Sequence, residues 1–319
     1  MYSEHNEHTE HAEHLAQAGS AASPSAKRFR TLMKSAEKAM RSRTKVEPGL
    51  PLRVGVDLGT AYTVIMVTDA GGRPLAGATR FADVVRDGVV WDFAGAQRVV
   101  GEVKAEVERR IGRPLTHAAV TIPPAVTTSD HRAHRYVIES VGLECTGVVD
   151  EPAAANSVLK ITDGAVVDVG GGTTGIAILS GGEVIATDDE PTGGKHLTLV
   201  LAGALGIPIE EAESAKQDPA NHAAFLPIVR PTLEKIATIV QRQIAGHDVR
   251  RIHLVGGTAS FTGIAAVVGD ITGVPTEVAA SPLLVTPLGA ASFDAGGAAD
   301  SGREAAIRAF TANHRGGTR

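Results

Sequence analysis

From residue 52 onward the chain alternates short apolar runs with glycine-rich breaks. Runs of roughly four to eight apolar or β-branched residues between turn formers predict strands, and apolar positions every three or four residues predict helices. Strands are predicted at 52–57, 62–68, 75–80, 117–122 and 146–150, and helices at 94–111, 128–141 and 151–160. The series then starts again. Strands at 164–169, 174–180 and 183–189 precede helices at 194–204, 208–216 and 227–245. A strand at 250–255, a helix at 260–269, a strand at 275–278 and a helix at 286–295 complete it. Three strands followed by alternating helices and strands, run about twice, predict an α/β body of two related lobes.

The N-terminal region follows other patterns. Residues 1–24 hold His, Glu, Ala and Ser and no apolar face to offset the entropy of ordering, so a disordered tail is expected. Within it His5, His8, His11 and His14 each follow a glutamate, which reads as a solvated, pH-sensitive tract. Between 27 and 43, Lys27, Arg28, Arg30, Lys34, Lys38, Arg41 and Arg43 stand against Glu37 alone, while Phe29, Leu32, Met33, Ala36, Ala39 and Met40 form one apolar stripe. A basic amphipathic helix results. It can pack on its own domain, or dock on a partner groove or a membrane surface. The expected organisation is a tail and helix at 1–49, a first lobe at 50–162, a second lobe at 163–285, and a return helix with a disordered tail at 286–319.

Composition narrows the function classes. The 319 residues carry a formal net charge of −5, which argues against a dominating nucleic-acid surface. Aromatics are 3% of the chain, too few for base-stacking platforms. Cys145 is the single cysteine, which excludes an internal disulfide framework and suits a reducing compartment such as the cytoplasm. No run reaches the ~18 apolar residues of a membrane span.

Two glycine-rich hairpins carry the chemistry. Val54-Gly55-Val56-Asp57-Leu58-Gly59-Thr60 and Val167-Asp168-Val169-Gly170-Gly171-Gly172-Thr173 each run from an apolar strand through an aspartate and a glycine turn to a threonine and a second strand. Glycines let backbone N–H groups approach an anion unobstructed. Threonine adds a hydroxyl donor. An aspartate beside such a turn can hold Mg²⁺ through water, and the metal then bridges to phosphates. Two such hairpins face to face would clasp a polyphosphate. Gly256 and Gly257 end a further strand and would let a flat base or sugar lie on the backbone. Glu151 opens a helix after Asp150; there it could orient an attacking water or simply favour the helix dipole.

Together these motifs resemble the actin-like ATPase superfamily of actin, DnaK-type chaperones, hexokinases and MreB. The resemblance runs over residues 52–293 and ends in a second hinge, Pro287-Leu288-Gly289-Ala290-Ala291. Residues 87–93 are similar to a segment of MreB-type proteins. The stretches FADVVRDGVVWDF, DEPAAAN, VVDVGGGTTGIAI and TGGKHLTLVLAG resemble the EutJ family of ethanolamine-utilisation proteins, a stand-alone chaperone-like ATPase fold associated with bacterial microcompartments. The resemblance implies two duplicated ribonuclease-H-like lobes with a nucleotide cleft between them, and ATP and Mg²⁺ as ligands. It implies metal-water contacts for Asp57 and Asp168, a phosphate cradle of Gly59, Thr60, Gly170, Gly171, Gly172 and Thr173, and a water-positioning role for Glu151. Glu213 and Lys216 match the family's ribose pair, although the same spacing makes an ordinary helix-surface ion pair. Gly256 and Gly257 would flank the adenosine.

Departures temper the expected activity. Ala61 and Tyr62 replace a Thr-Asn of the chaperones, Gly175 replaces an aspartate, and Lys195 is the nearest candidate for the chaperones' catalytic lysine. Slow ATP hydrolysis, or binding without turnover, is therefore expected. About 25 residues follow the second hinge, too few for a peptide-binding domain of ~100. Three functions compete: an ATP-driven switch or assembly factor acting on ethanolamine-utilisation enzymes or microcompartment shell proteins, a nucleotide-braced adaptor recruiting its partner through the basic helix, and a small-molecule kinase with Asp87 as base. Asp69, Asp163 and His196 read as turn or surface residues.

Overall fold

The computed structural model describes residues 24–86, 88–124 and 128–297. The His-rich tract, residues 298–319 of the expected C-terminal tail, and Asp87 lie outside the described residues.

The first lobe starts from helix α1 (Pro24–Ala39) and strands β1 (Leu52–Leu58), β2 (Tyr62–Asp69) and β3 (Pro74–Phe81). A small hairpin, β4 (Val85–Arg86) and β5 (Val89–Val90), leads to α2 (Phe93–Ile111), β6 (His117–Ile122), α3 (Thr128–Ser140), β7 (Glu144–Asp150) and α4 (Glu151–Leu159). The second lobe repeats the plan with β8 (Gly164–Val169), β9 (Thr174–Ser180), β10 (Glu183–Glu190), α5 (Gly194–Leu205), α6 (Ile209–Gln217) and α7 (His222–Ile244). It ends with β11 (Ile252–Val255), α8 (Ile264–Thr272), β12 (Thr276–Val278) and α9 (Pro282–Ala291).

The two five-stranded sheets have the same order, β3-β2-β1-β6-β7 and β10-β9-β8-β11-β12. In each, the first three strands pair antiparallel and the rest parallel. The register matches as well: Asp57 lies opposite Val64, and Asp168 opposite Gly175. The predicted duplication is thus present strand by strand. The parallel strands β6, β8 and β11 are almost wholly buried, which explains their continuous apolar runs.

Each lobe has its own apolar core, and a third cluster joins them. That cluster combines Met33 and Ala36 of α1, Val64 and Met66 of β2, Val166 of β8, and Val285 and Leu288 of α9. Helices α4 and α9 cross here, and Gly289 allows it, since a Cβ there would lie 1.8 Å from the Ala154 carbonyl oxygen.

Of the packings open to α1, the structure shows the one on its own domain: Met33, Ala36 and Ala39 are buried against the chain's own β3 and α9. Three expectations shift. Helix α9 begins at Pro282, not 286, with Pro at its first turn and Pro287 held inside by packing on every side. Helix α7 begins at His222 and carries Pro227 and Pro231 one turn apart. The helix expected at 260–269 divides into a tight turn, Gly257–Ser260, and α8, because Gly263 takes a left-handed φ of 101° between them.

Candidate functional site

All thirteen residues expected to form a site line one cavity of about 350 Å³ between the sheets. Strand β1 delivers Asp57 and β8 delivers Asp168, each at the strand end where the chain must turn. Both turns close with the same bond: Gly59 N–H donates to the Tyr62 carbonyl and Gly170 N–H to the Thr173 carbonyl, each at 3.0 Å. The turns abut across the cleft. A Cβ on Gly171 would sit 2.6 Å from Ala61 Cβ, and one on Gly172 would sit 2.5 Å from Thr60 Oγ1. Only glycine permits that approach.

The second turn is anchored from behind. The Gly170 carbonyl accepts from Gly194 N–H at 2.9 Å and from Thr258 Oγ1 at 2.7 Å, and the Gly171 carbonyl accepts from Lys195 N–H at 2.7 Å. The Gly171 and Gly172 amides carry no hydrogen bond among the described residues. Unspent donors beside an open cavity suit an anion.

Three carboxyls stand where the lobes meet. Thr121 donates to Asp57 Oδ1 at 2.9 Å, and Thr286 donates to Asp168 Oδ2 at 2.8 Å. Burial, with the Asp168 charge added, pushes Asp57 up to about 7 despite the Thr121 bond. Burial pushes Asp168 up to about 6 against the Thr286 bond. Glu151, first residue of α4, rises well above its ordinary value through burial and then the charges of Asp168, Asp57, Asp189 and Asp150. The largest charge effects on Glu151 are thus all acidic. Such a trio is short of positive charge, and a divalent cation fits it. Among the described residues no three His, Cys, Asp or Glu side chains are grouped to hold a metal ion directly.

Glu213 and Lys216 of α6 are no surface pair. Their side chains are 10% and 12% exposed, and Lys216 Nζ donates to Glu213 Oε2 at 2.6 Å and to the Gly194 carbonyl at 3.0 Å. Burial pushes the Glu213 carboxyl up, but the Lys216 charge and the hydrogen bonds from Lys216, Thr198 and Gln217 outweigh it and hold the carboxyl below its usual range. Burial also holds Lys216 below its usual range, against the Glu213 charge.

Gly256 has a reason the sequence did not disclose. At φ 88° it ends β11 beside Asp168, where a Cβ would lie 2.1 Å from Asp168 Oδ1. Gly257 lines the cavity opposite Leu283. Sequence reasoning missed Thr121, Thr286, Thr258, Gln217, His222 and Phe261. His222 Nδ1 accepts from Thr262 N–H at 3.0 Å while Nε2 donates to the Lys216 carbonyl at 2.8 Å, and its ring stacks on Phe261 at 4.3 Å. It ties the ion-pair helix to the turn after β11. The one available signal was Thr258 directly after the glycine pair; the others lie in ordinary strand or helix sequence. Lys195 pairs with Asp83 at 3.2 Å, with both side chains well exposed.

Comparison with known proteins places this architecture. The MreB/Mbl protein family model matches residues 77–202, and the cell division protein FtsA model matches residues 165–291. The crystal structure of MreB 5 of Spiroplasma citri bound to AMPPNP superposes with a TM-score of 0.61 at 16% identity, over 85% of this chain and all of that one. The fold is that of the actin-like ATPases: two duplicated ribonuclease-H-like lobes around a cleft. Within that class the likeness is closer to one group. Ethanolamine utilization protein EutJ of Salmonella typhimurium is 44% identical over 228 residues, covering 72% of this chain and 80% of that protein. The crystal structure of EutJ from Carboxydothermus hydrogenoformans superposes with a TM-score of 0.79 at 45% identity, over 84% of this chain and 99% of that one. The chain belongs to the EutJ family.

Proposed function

We propose that the chain binds ATP with Mg²⁺ between its two hairpins and works as a nucleotide-dependent conformational switch in ethanolamine utilisation. The observation that carries this reading is the meeting of the hairpins over one cavity that also holds the Glu213–Lys216 pair. The AMPPNP bound to the MreB 5 neighbour and the family name supply further support.

In this reading Gly59 and Gly170 close the two turns, and the amides of Gly171 and Gly172 with the hydroxyls of Thr60 and Thr173 take the phosphates. Glu213 and Lys216 take the ribose, and Gly256 and Gly257 flank the base. Asp57 and Asp168 orient metal-bound waters. Mg²⁺, when bound, supplies the positive charge that lets phosphate oxygens approach this acidic centre. Burial and then the charges of Asp168, Asp57, Asp189 and Asp150 oppose ionisation of Glu151. It accepts a proton from water more readily once a bound cation offsets those charges, so hydrolysis is slow and coupled to full occupancy. ATP joins the lobes, loss of the γ-phosphate loosens them, and a partner reads the difference. Ethanolamine-utilisation enzymes and microcompartment shell proteins are the proposed partners, in the cytoplasm.

One observation favours a second reading, a nucleotide-braced adaptor without turnover. Lys216 is the one Lys or Arg among the described residues lining the cavity, and Glu213 already occupies it. Calorimetry with ATP and Mg²⁺ separates the outcomes. A saturable heat is expected for the unaltered chain, none for Asp57→Ala, and retained binding without phosphate release for Glu151→Ala. No heat and no thermal stabilisation of the unaltered chain rejects the proposal; binding with no phosphate release selects the adaptor. A phosphorylated product from a metabolite panel would instead indicate a kinase.

A further inference from the structure

Helix α1 has two unlike faces. Met33, Ala36 and Ala39 are buried and Phe29, Leu32 and Met40 half-buried, all packed into the chain's own core. On the opposite side Lys27, Arg30, Lys34, Lys38 and Arg41 stand exposed. Steps of three, four, four and three residues set these cations in one row along the helix. The row is roughly 20 Å long at about 1.5 Å of rise per residue. It runs just past the helix end, where Arg41 N–H donates to the Lys38 carbonyl at 3.1 Å.

Nothing described in the chain neutralises this row. None of the five cations makes an ion pair among the described residues. Glu37 is the one acid between residues 27 and 43; it borders the row but accepts from Ser281 Oγ, at the start of α9, at 2.5 Å. Cations three or four residues apart repel one another and weaken a helix. The first turn holds Lys27 and no acid, although the helix macrodipole is positive there. This concentration of like charge sits on a chain whose net charge is −5, so the outer face of α1 differs in sign from the molecule as a whole.

We propose that the outer face of α1 is a docking surface for an acidic helix of a partner protein, one whose Asp or Glu side chains recur every three or four residues. A helix laid along α1 repeats at the same pitch, so each carboxylate meets a cation. A bilayer fits this face less well, because the apolar side chains that would enter it are already packed in the protein core. A nucleic-acid duplex also fits less well, because its phosphates run on past the row against a chain that is acidic overall. Among the described residues none of α1 lines the nucleotide cavity, so this surface stands or falls separately from the nucleotide reading.

The test is fluorescence anisotropy of a labelled helical peptide, its glutamates three, four, four and three residues apart, titrated with the full chain at low salt. Saturable binding that weakens as salt is added is expected. A peptide of the same composition in scrambled order is expected to bind about tenfold more weakly. Lys34→Glu, which reverses the centre of the row, is expected to weaken the ordered peptide by about tenfold, and Lys34→Gln by less. Lys34→Glu is also expected to melt no lower than the unaltered chain, because it turns the like-charge pairs with Arg30 and Lys38 into opposite-charge ones. Equal binding of the two peptides, full binding to Lys34→Glu, or a lower melting temperature for that variant overturns the proposal. So does a competition in which phosphatidylserine-containing vesicles or a DNA duplex displaces the ordered peptide and binds more tightly than it.

Discussion

The two hairpins share a plan but not a foundation. The second is held from behind by donors from Gly194, Lys195 and Thr258 to its own carbonyls. Among the described residues the first has one comparable anchor, the Ala82 N–H donating to the Ala61 carbonyl at 3.0 Å, and a side chain, Tyr62, that crosses to the other lobe. Duplication copied the turn; the surroundings then made one copy a fixed platform and left the other tied mainly to its partner. The moving side of the cleft is therefore expected to be the first lobe.

The sharpest break of that comparison is at the turn-to-turn contact. Gly171→Val would drive a side chain into Ala61, where even a Cβ comes within 2.6 Å. A clash of roughly 1–3 kcal/mol predicts a 10- to 100-fold loss of Mg-ATP affinity by calorimetry. Gly59→Ala meets nothing nearer than the Tyr62 carbonyl at 3.0 Å and is expected to cost about threefold or less. Equal losses would mean that the two turns are equally constrained.

Next in size is the acidic centre the hairpins deliver. In the empty chain Asp57 titrates at about 7, above its ordinary 3.8. The folded state thus holds more protons than the unfolded state between those values, and stability falls as pH rises through that window. Asp57→Asn is expected to raise the melting temperature of the empty chain at pH 8, by on the order of 1–3 kcal/mol of stability, and to flatten its decline from pH 5 to 8. The Mg²⁺-dependent gain in melting temperature should grow over the same range, because the cation competes with protons. A melting temperature that rises with pH in the metal-free chain would contradict this assignment.

Smaller effects test the foundations. Thr258→Val removes the hydroxyl that donates to the Gly170 carbonyl and is expected to cost about 1–2 kcal/mol in urea unfolding. Lys195→Ala breaks a pair whose side chains are both well exposed, and a change of less than about 0.5 kcal/mol is expected. A larger loss for Lys195→Ala would show that the lobe-crossing pair, not the backbone anchor at the same residue, steadies the second hairpin.

Much of this architecture is legible in the sequence. The duplicated strands and both Asp–Gly–Thr hairpins rest on interactions within a few residues: alternation, turn chemistry and the space glycine leaves. Glu213 and Lys216 were legible only as a spacing. Their burial against Thr198 and Gly194 comes from the way α5 meets α6.

What the sequence alone determined is the order of elements and the residues each turn offers, because local propensity and periodicity act along the chain. Only the tertiary structure decided that α1 covers its own core, that Gly256 makes room for Asp168, and that Thr286, 118 residues distant, holds that aspartate. It also made three carboxyls into one acidic centre. Close approach and shared charge depend on distance through space, and neither pattern nor spacing carries that distance.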